Sequence, residues 1–184
     1  MNKRLRMRRE RDKNELIEFA DGTDRLRIVH MDNIRVTIEM TCRSVIKRPK
    51  EEPIIDDFTH TLTLLIPIAY PAEPLHVIHK EPKHLFHPNV LSPYFGEGEI
   101  DISELLGRQL AAGMVCYSHQ HSVQQTLLKT VTHLYDMLGF RFGRYSTTQS
   151  DCLTPGSVKW VRDNEAKGLF PLESKPLYSG TDQS

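Results

Sequence analysis

The chain has no apolar run approaching the roughly 20 residues that a membrane-spanning helix needs, so nothing along it reads as a transmembrane segment. Cysteine is scarce: Cys42, Cys116 and Cys152 make an odd number with no close pair. A disulfide framework is not expected, and a reduced, cytoplasmic protein is the simplest expectation. Net formal charge is zero, which argues against a molecule that binds polyanions with its whole surface. The opening MNKRLRMRRERDK carries charge without an apolar stretch behind it, unlike a secretory leader. Internal repeats and low-complexity tracts are also missing, so a repeat architecture is set aside.

What is present fits one ordered domain. Hydrophobic residues make up 39% and charged residues 26% of 184, and that length can bury a sizeable core. Charge is unevenly placed: seven basic residues lie between Lys3 and Lys13 against Glu10 and Asp12 alone.

Periodicity predicts the elements. Residues 3–19 read as a surface helix with Leu5, Leu16, Ile17 and Phe19 as a thin docking stripe, stopped by Ala20-Asp21-Gly22. Arg25 to His30 reads as a short strand. Ile34, Val36, Ile38, Met40 and Cys42 then alternate with polar residues, the mark of a half-buried antiparallel strand. KRPKEEPIIDD reads as a polar connection. Alternation returns at Leu62, Leu64, Ile66 and Ile68, and Leu75, Val77 and Ile78 supply a fourth strand. Beyond residue 80 come loops with several histidines and a short element at Ile102–Leu110. Ser122 and Gln125 have capping-box spacing and open a helix through Leu138, with Gly139 expected in the left-handed position past its end. A last helix begins at Thr154 with Pro155 in its first turn, turns Val158, Trp160 and Val161 toward the core, and ends near Gly168. The expected architecture is an α+β fold: helix, four-stranded antiparallel meander, long loop, two helices.

Several motifs stand in a telling order. Tyr70-Pro71-Ala72-Glu73-Pro74 is followed by Leu75-His76-Val77, then His87-Pro88-Asn89-Val90, then Gly98-Glu99-Ile100. In this order after a meander they resemble the ubiquitin-conjugating (UBC) family: its Tyr-Pro-x-x-Pro-Pro-x-Val, its His-Pro-Asn-[Ile/Val] and the Gly-x-Ile before its nucleophile. Asp151-Cys152-Leu153-Thr154-Pro155 is similar to the Asp-Pro-Leu-Asn-Pro that opens a late helix in many members. Leu169-Phe170-Pro171-Leu172 resembles bacterial relatives. The resemblance covers about residues 3 to 172 and implies a UBC-like domain over 1–174, with a flexible tail at 175–184.

It also implies roles. In the family a cysteine carries ubiquitin as a thioester; this chain has Asp101 at that position. A carboxylate with an unperturbed pKa of about 3.9 is ionised but weakly nucleophilic, and its acyl adduct would be a mixed anhydride, not a thioester. Asp101 is therefore read either as a degenerate nucleophile position or simply as a solvated loop carboxylate. In the family Asn89 would stabilise an oxyanion and His87 would support the local structure; an amide can donate such a bond without changing charge, although a turn asparagine more often bonds its own loop. Cys116, 15 positions after Asp101, is the candidate displaced nucleophile, or else a small buried hydrophobe. Cys42 is read as packing. Arg4, Arg8 and Arg11 recur at helical spacing and match the basic residues with which family members dock on an activating enzyme; the alternative is an ordinary solvated face.

Cys116, His119 and His121, with His84 and His87, form a loose cluster that matches no compact zinc spacing, so surface and loop histidines, and no metal or other cofactor, are expected. No aromatic residues interleave with the basic segment, so nucleic acid is not an expected partner, nor is a membrane. The expected function is that of a cysteine-less ubiquitin-conjugating enzyme variant, a pseudoenzyme that binds a ubiquitin-like modifier, an activating-enzyme-like adenylyltransferase or a conjugating partner without a covalent intermediate. The alternatives are an active conjugating enzyme, using Cys116 or a parent cysteine at 101, and a structural or assembly component retaining only the fold.

Overall fold

The computed structural model describes residues 3–91, 113–117, 122–141, 145–148 and 152–177. Among the described residues seven elements follow in order: α1 (Lys3–Asp21), β1 (Leu26–Met31), β2 (Arg35–Ile46), β3 (Ile54–Leu65), β4 (His76–Glu81), α2 (Leu127–Leu138) and α3 (Pro155–Glu165). The strands form one antiparallel sheet in the order β1-β2-β3-β4, the expected meander.

Register explains the core. Ile38 sits opposite Ile28 and Leu62, and Leu64 opposite Val36 and Val77. Because side chains alternate across the sheet, Val36, Ile38, Met40, Cys42, Leu62 and Leu64 form one apolar surface, none of them more than 1% exposed. On the other face Thr37 pairs with Thr63 and Thr41 with Thr59 through their hydroxyls. The apolar surface is covered by α2, whose Val131, Leu134, Tyr135 and Leu138 are fully buried.

A second cluster lies beside the sheet: Val45, Phe86, Phe140, Tyr145, Val161, Phe170 and Leu172. Phe140 and Phe170 stack at 5.2 Å between ring centroids, and Trp160 of α3 meets both edge-on. Val158 and Val161 of α3 point inward as the sequence predicts.

Several local expectations need correction. Residues 54–57 of the expected polar connection are the first residues of β3; only 47–53 connect the strands, and Ile54-Ile55-Asp56-Asp57 pair with Val45, Ile46 and their neighbours. Ile34 and Ile68 lie just outside the strands and are 67% and 86% exposed. The α2 cap is Thr126, whose hydroxyl accepts from Lys129 N at 3.1 Å, whereas Ser122 accepts from Gln124 N in a preceding turn. Gly139 is not left-handed: its φ is −79°, and Phe140 takes the positive φ of 54° instead. Gly139 is needed for a different reason. A Cβ there would lie 2.5 Å from Glu173 Cβ, where the segment 172–173 donates two backbone bonds to the Gly139 carbonyl. The expected tail also starts too early, since Leu177 is 2% exposed within the main core.

The docking stripe of α1 is only partly the predicted apolar one: Leu16 and Phe19 do pack on the core. Ile17 is 40% exposed, while Arg9, Asp12 and Lys13 are buried beside Leu16. The Arg9 guanidinium donates to the carbonyls of Asn33, Pro67 and Ile68, and Lys13 Nζ to Asn33 Oδ1 at 2.7 Å. Asp12 accepts from Tyr70 Oη at 2.6 Å and Arg8 Nε at 2.9 Å. Arg8 Nη2, Arg9 Nε and Asp12 Oδ1 are buried without a hydrogen bond, but the bonds that are made offset the cost of burial and clip the helix to both turns at one end of the sheet.

Candidate functional site

His87-Pro88-Asn89 runs between two other pieces of chain. On one side Val90 bridges Val115, with Cys116 N donating to Asn89 O at 2.8 Å. On the other, Leu153 N donates to Pro88 O at 2.6 Å and Thr154 Oγ1 to Val90 O at 2.6 Å. Thr154 precedes α3 but makes no side-chain cap; its hydroxyl serves this junction instead. Gly113 permits the close approach: with φ of +83°, a Cβ there would meet His79 O at 2.1 Å.

Asn89 is 4% exposed. Its Nδ2 donates to Cys116 O at 2.9 Å and Ser146 Oγ at 3.2 Å, and Oδ1 accepts from Ser146 N at 2.8 Å. Both amide hydrogens are committed, so donation to an incoming oxygen requires the release of one of them. His87 is fully buried. Its Nδ1 accepts from Asn89 N at 3.0 Å, which leaves Nε2 as the protonated nitrogen donating to Met137 O at 2.8 Å. Burial pushes His87 down to about 4, against the Met137 bond that favours its protonated form. The neutral ring ties the turn to the end of α2.

Cys116 is half-exposed beside Asn89, whereas Cys42 is 1% exposed with its thiol pushed far upward by burial. A thiol so buried is packing rather than a nucleophile. Of the three arginines, Arg4 and Arg11 are exposed, but Arg8 is turned inward onto Asp12, its side chain 23% exposed. Asp101, His119 and His121 lie outside the described residues. Among the described residues no group of three His, Cys, Asp or Glu side chains is placed to hold a metal, and no helix is long and apolar enough to cross a membrane.

One cluster escaped the sequence reading. His60 and His79, for which the sequence reading gave no role, lie in the core at 0% and 6% exposure. Ser44 Oγ bonds His60 Nε2 at 2.9 Å, and His60 Nδ1 bonds His79 Nε2 at 3.0 Å. Burial is the main cause that holds both below the ordinary imidazole range, His79 at about 3. The signal was available: His60 continues the period-two row of Leu62 and Leu64, and His79 that of Val77. Ser146, which completes the Asn89 amide, sits in no periodic segment and carried no such signal.

No protein-family model matches this chain. No curated protein matches it either.

Proposed function

We propose that this is a UBC-fold protein of a ubiquitin-like modification pathway that works by non-covalent binding, with Asp101 standing where the family's cysteine would be. The observation that carries the reading is the motif order in its frame: a helix, a four-stranded antiparallel meander, then His87-Pro88-Asn89 wedged between residues 114–116 and 152–154. The committed bonds of Asn89 and the neutral, buried His87 support an architectural use of the motif. Exposed Arg4 and Arg11 are the remaining members of the docking face; Arg8 belongs to the Asp12 clamp.

A second reading has one specific observation in its favour. Cys116 is half-exposed and its backbone pairs with Asn89 in both directions, so a displaced thiolate at this position would lie next to the family's asparagine.

The test separates the two. With ATP, an activating-enzyme-like adenylyltransferase and a ubiquitin-like modifier, the chain should form no adduct on a non-reducing gel while retaining modifier or enzyme in a pull-down. A dithiothreitol-sensitive adduct that Cys116→Ala abolishes would overturn the pseudoenzyme reading and establish the second one.

A further inference from the structure

The exposed face of α1 has a charge order that works against the helix itself. Helix dipoles favour acids in the first turn and bases in the last, yet α1 has no acid in its first turn and no base in its last. Lys3, Arg4, Arg6 and Arg11 are exposed in the first half against Glu10 alone, whereas Glu18 and Asp21 are exposed in the second, with no base between residues 14 and 21. Nor is this arrangement what fastens the helix down, because Arg9, Asp12, Lys13 and Leu16 do that from the opposite side. On the outward stripe two apolar side chains stand uncovered, Met7 at 61% and Ile17 at 40% exposure.

From this pattern we infer that the outward face of α1 pairs antiparallel with α1 of a second copy of this chain. Reversing the helix on itself in full overlap makes the pattern self-complementary. Lys3 comes level with Asp21, Arg6 with Glu18, and Met7 with Ile17, so every end carries opposite charges and the two apolar residues meet at both flanks of the two-fold axis. The opposed dipoles of antiparallel helices add to the match. A second copy fits this face better than an arbitrary acidic partner, because such a partner would satisfy the basic half and repel the acidic one. A helix of about 28 Å covers less than the roughly 800 Å² per partner of a standard interface, so the dimer is weak and salt-sensitive. The inference is independent of the modification pathway. It has one consequence there: Arg11 lies beside the stripe, so a self-paired helix would hinder docking of another protein on it.

Sedimentation velocity over a concentration series should give a monomer–dimer equilibrium at low salt that shifts to monomer at high salt. Lys3→Glu with Arg6→Glu, and separately Glu18→Lys with Asp21→Lys, should each weaken self-association by about tenfold or more, with melting temperatures near that of the unaltered chain. Mixed together, the two variants should associate more tightly than either does alone, because positions 3 and 6 of one helix then oppose positions 21 and 18 of the other with opposite charges in every pair. A chain that stays monomeric at every concentration overturns the proposal. So does a dimer that both variants retain, or a mixture that fails to associate.

Discussion

α1 and α2 lie against the same sheet and are attached to it by opposite means. α2 presents Leu127, Val131, Leu134, Tyr135 and Leu138, an apolar face that any site of matching shape would accept. α1 presents Arg9, Asp12 and Lys13, and each finds a particular partner: three loop carbonyls, a tyrosine hydroxyl, an asparagine oxygen. Apolar burial is non-directional and supplies most of the stabilisation. Buried polar contacts return little net energy but cost heavily if misplaced. α2 therefore stabilises the sheet, while α1 sets which turns come together at its end.

The sharpest way to separate the two sides is acid. α2 is tied to His87, and His60 and His79 lie buried beneath the same side of the sheet. Folded-state values of about 4 for His87 and about 3 for His79 are depressed, against about 6.5 in the unfolded chain. Their contribution is complete above pH 6.5 and is lost as the pH falls toward those folded values, because the unfolded chain takes up protons first. Each should add a slope of about 1.4 kcal/mol per pH unit within that window. Urea titrations between pH 7 and about 4.5 should show a shallower loss for His79→Gln than for the unaltered chain; identical slopes would remove His79 from the account.

Next in size is Leu134→Ala, which opens a cavity in the apolar side and should cost about 2–5 kcal/mol in chemical denaturation. Smaller is Asp12→Ala, which leaves the Tyr70 hydroxyl only the longer bond to Gln125 O and strands the inward Arg8, and should cost about 1–3 kcal/mol. If Asp12→Ala proves as costly as Leu134→Ala, the division of labour between the helices fails.

The meander and the apolar face of α2 were legible in the sequence because one physical rule, periodic burial, governs them. The attachment of α1 was not, since Arg9 and Lys13 look like surface residues until the turns at Asn33 and Pro67 are brought beside them. Ile54 and Ile55 were hidden in a segment whose neighbouring Lys, Glu and Pro residues suggested a loop. In the candidate site, His87, Asn89 and Cys116 were named in advance and do adjoin one another. Their hydrogen bonds were not foreseeable, because Ser146 reaches Asn89 from 57 residues away and Thr154 reaches the adjoining Val90 from 64.

The seam at Gly139 bears on how the chain is made. Residues 172 and 173 cap the Gly139 carbonyl, Glu173 receives Arg43 N and pairs with Arg25, and Leu177 fills the core next to Thr23. A chain emerging from the ribosome can pair β1 to β4 early, since neighbouring strands need only short loops. Its apolar face then stays available to chaperones and, equally, to another nascent copy until α2 has been synthesised, and the seam at Arg25 and Arg43 stays unsealed until residue 177 has followed.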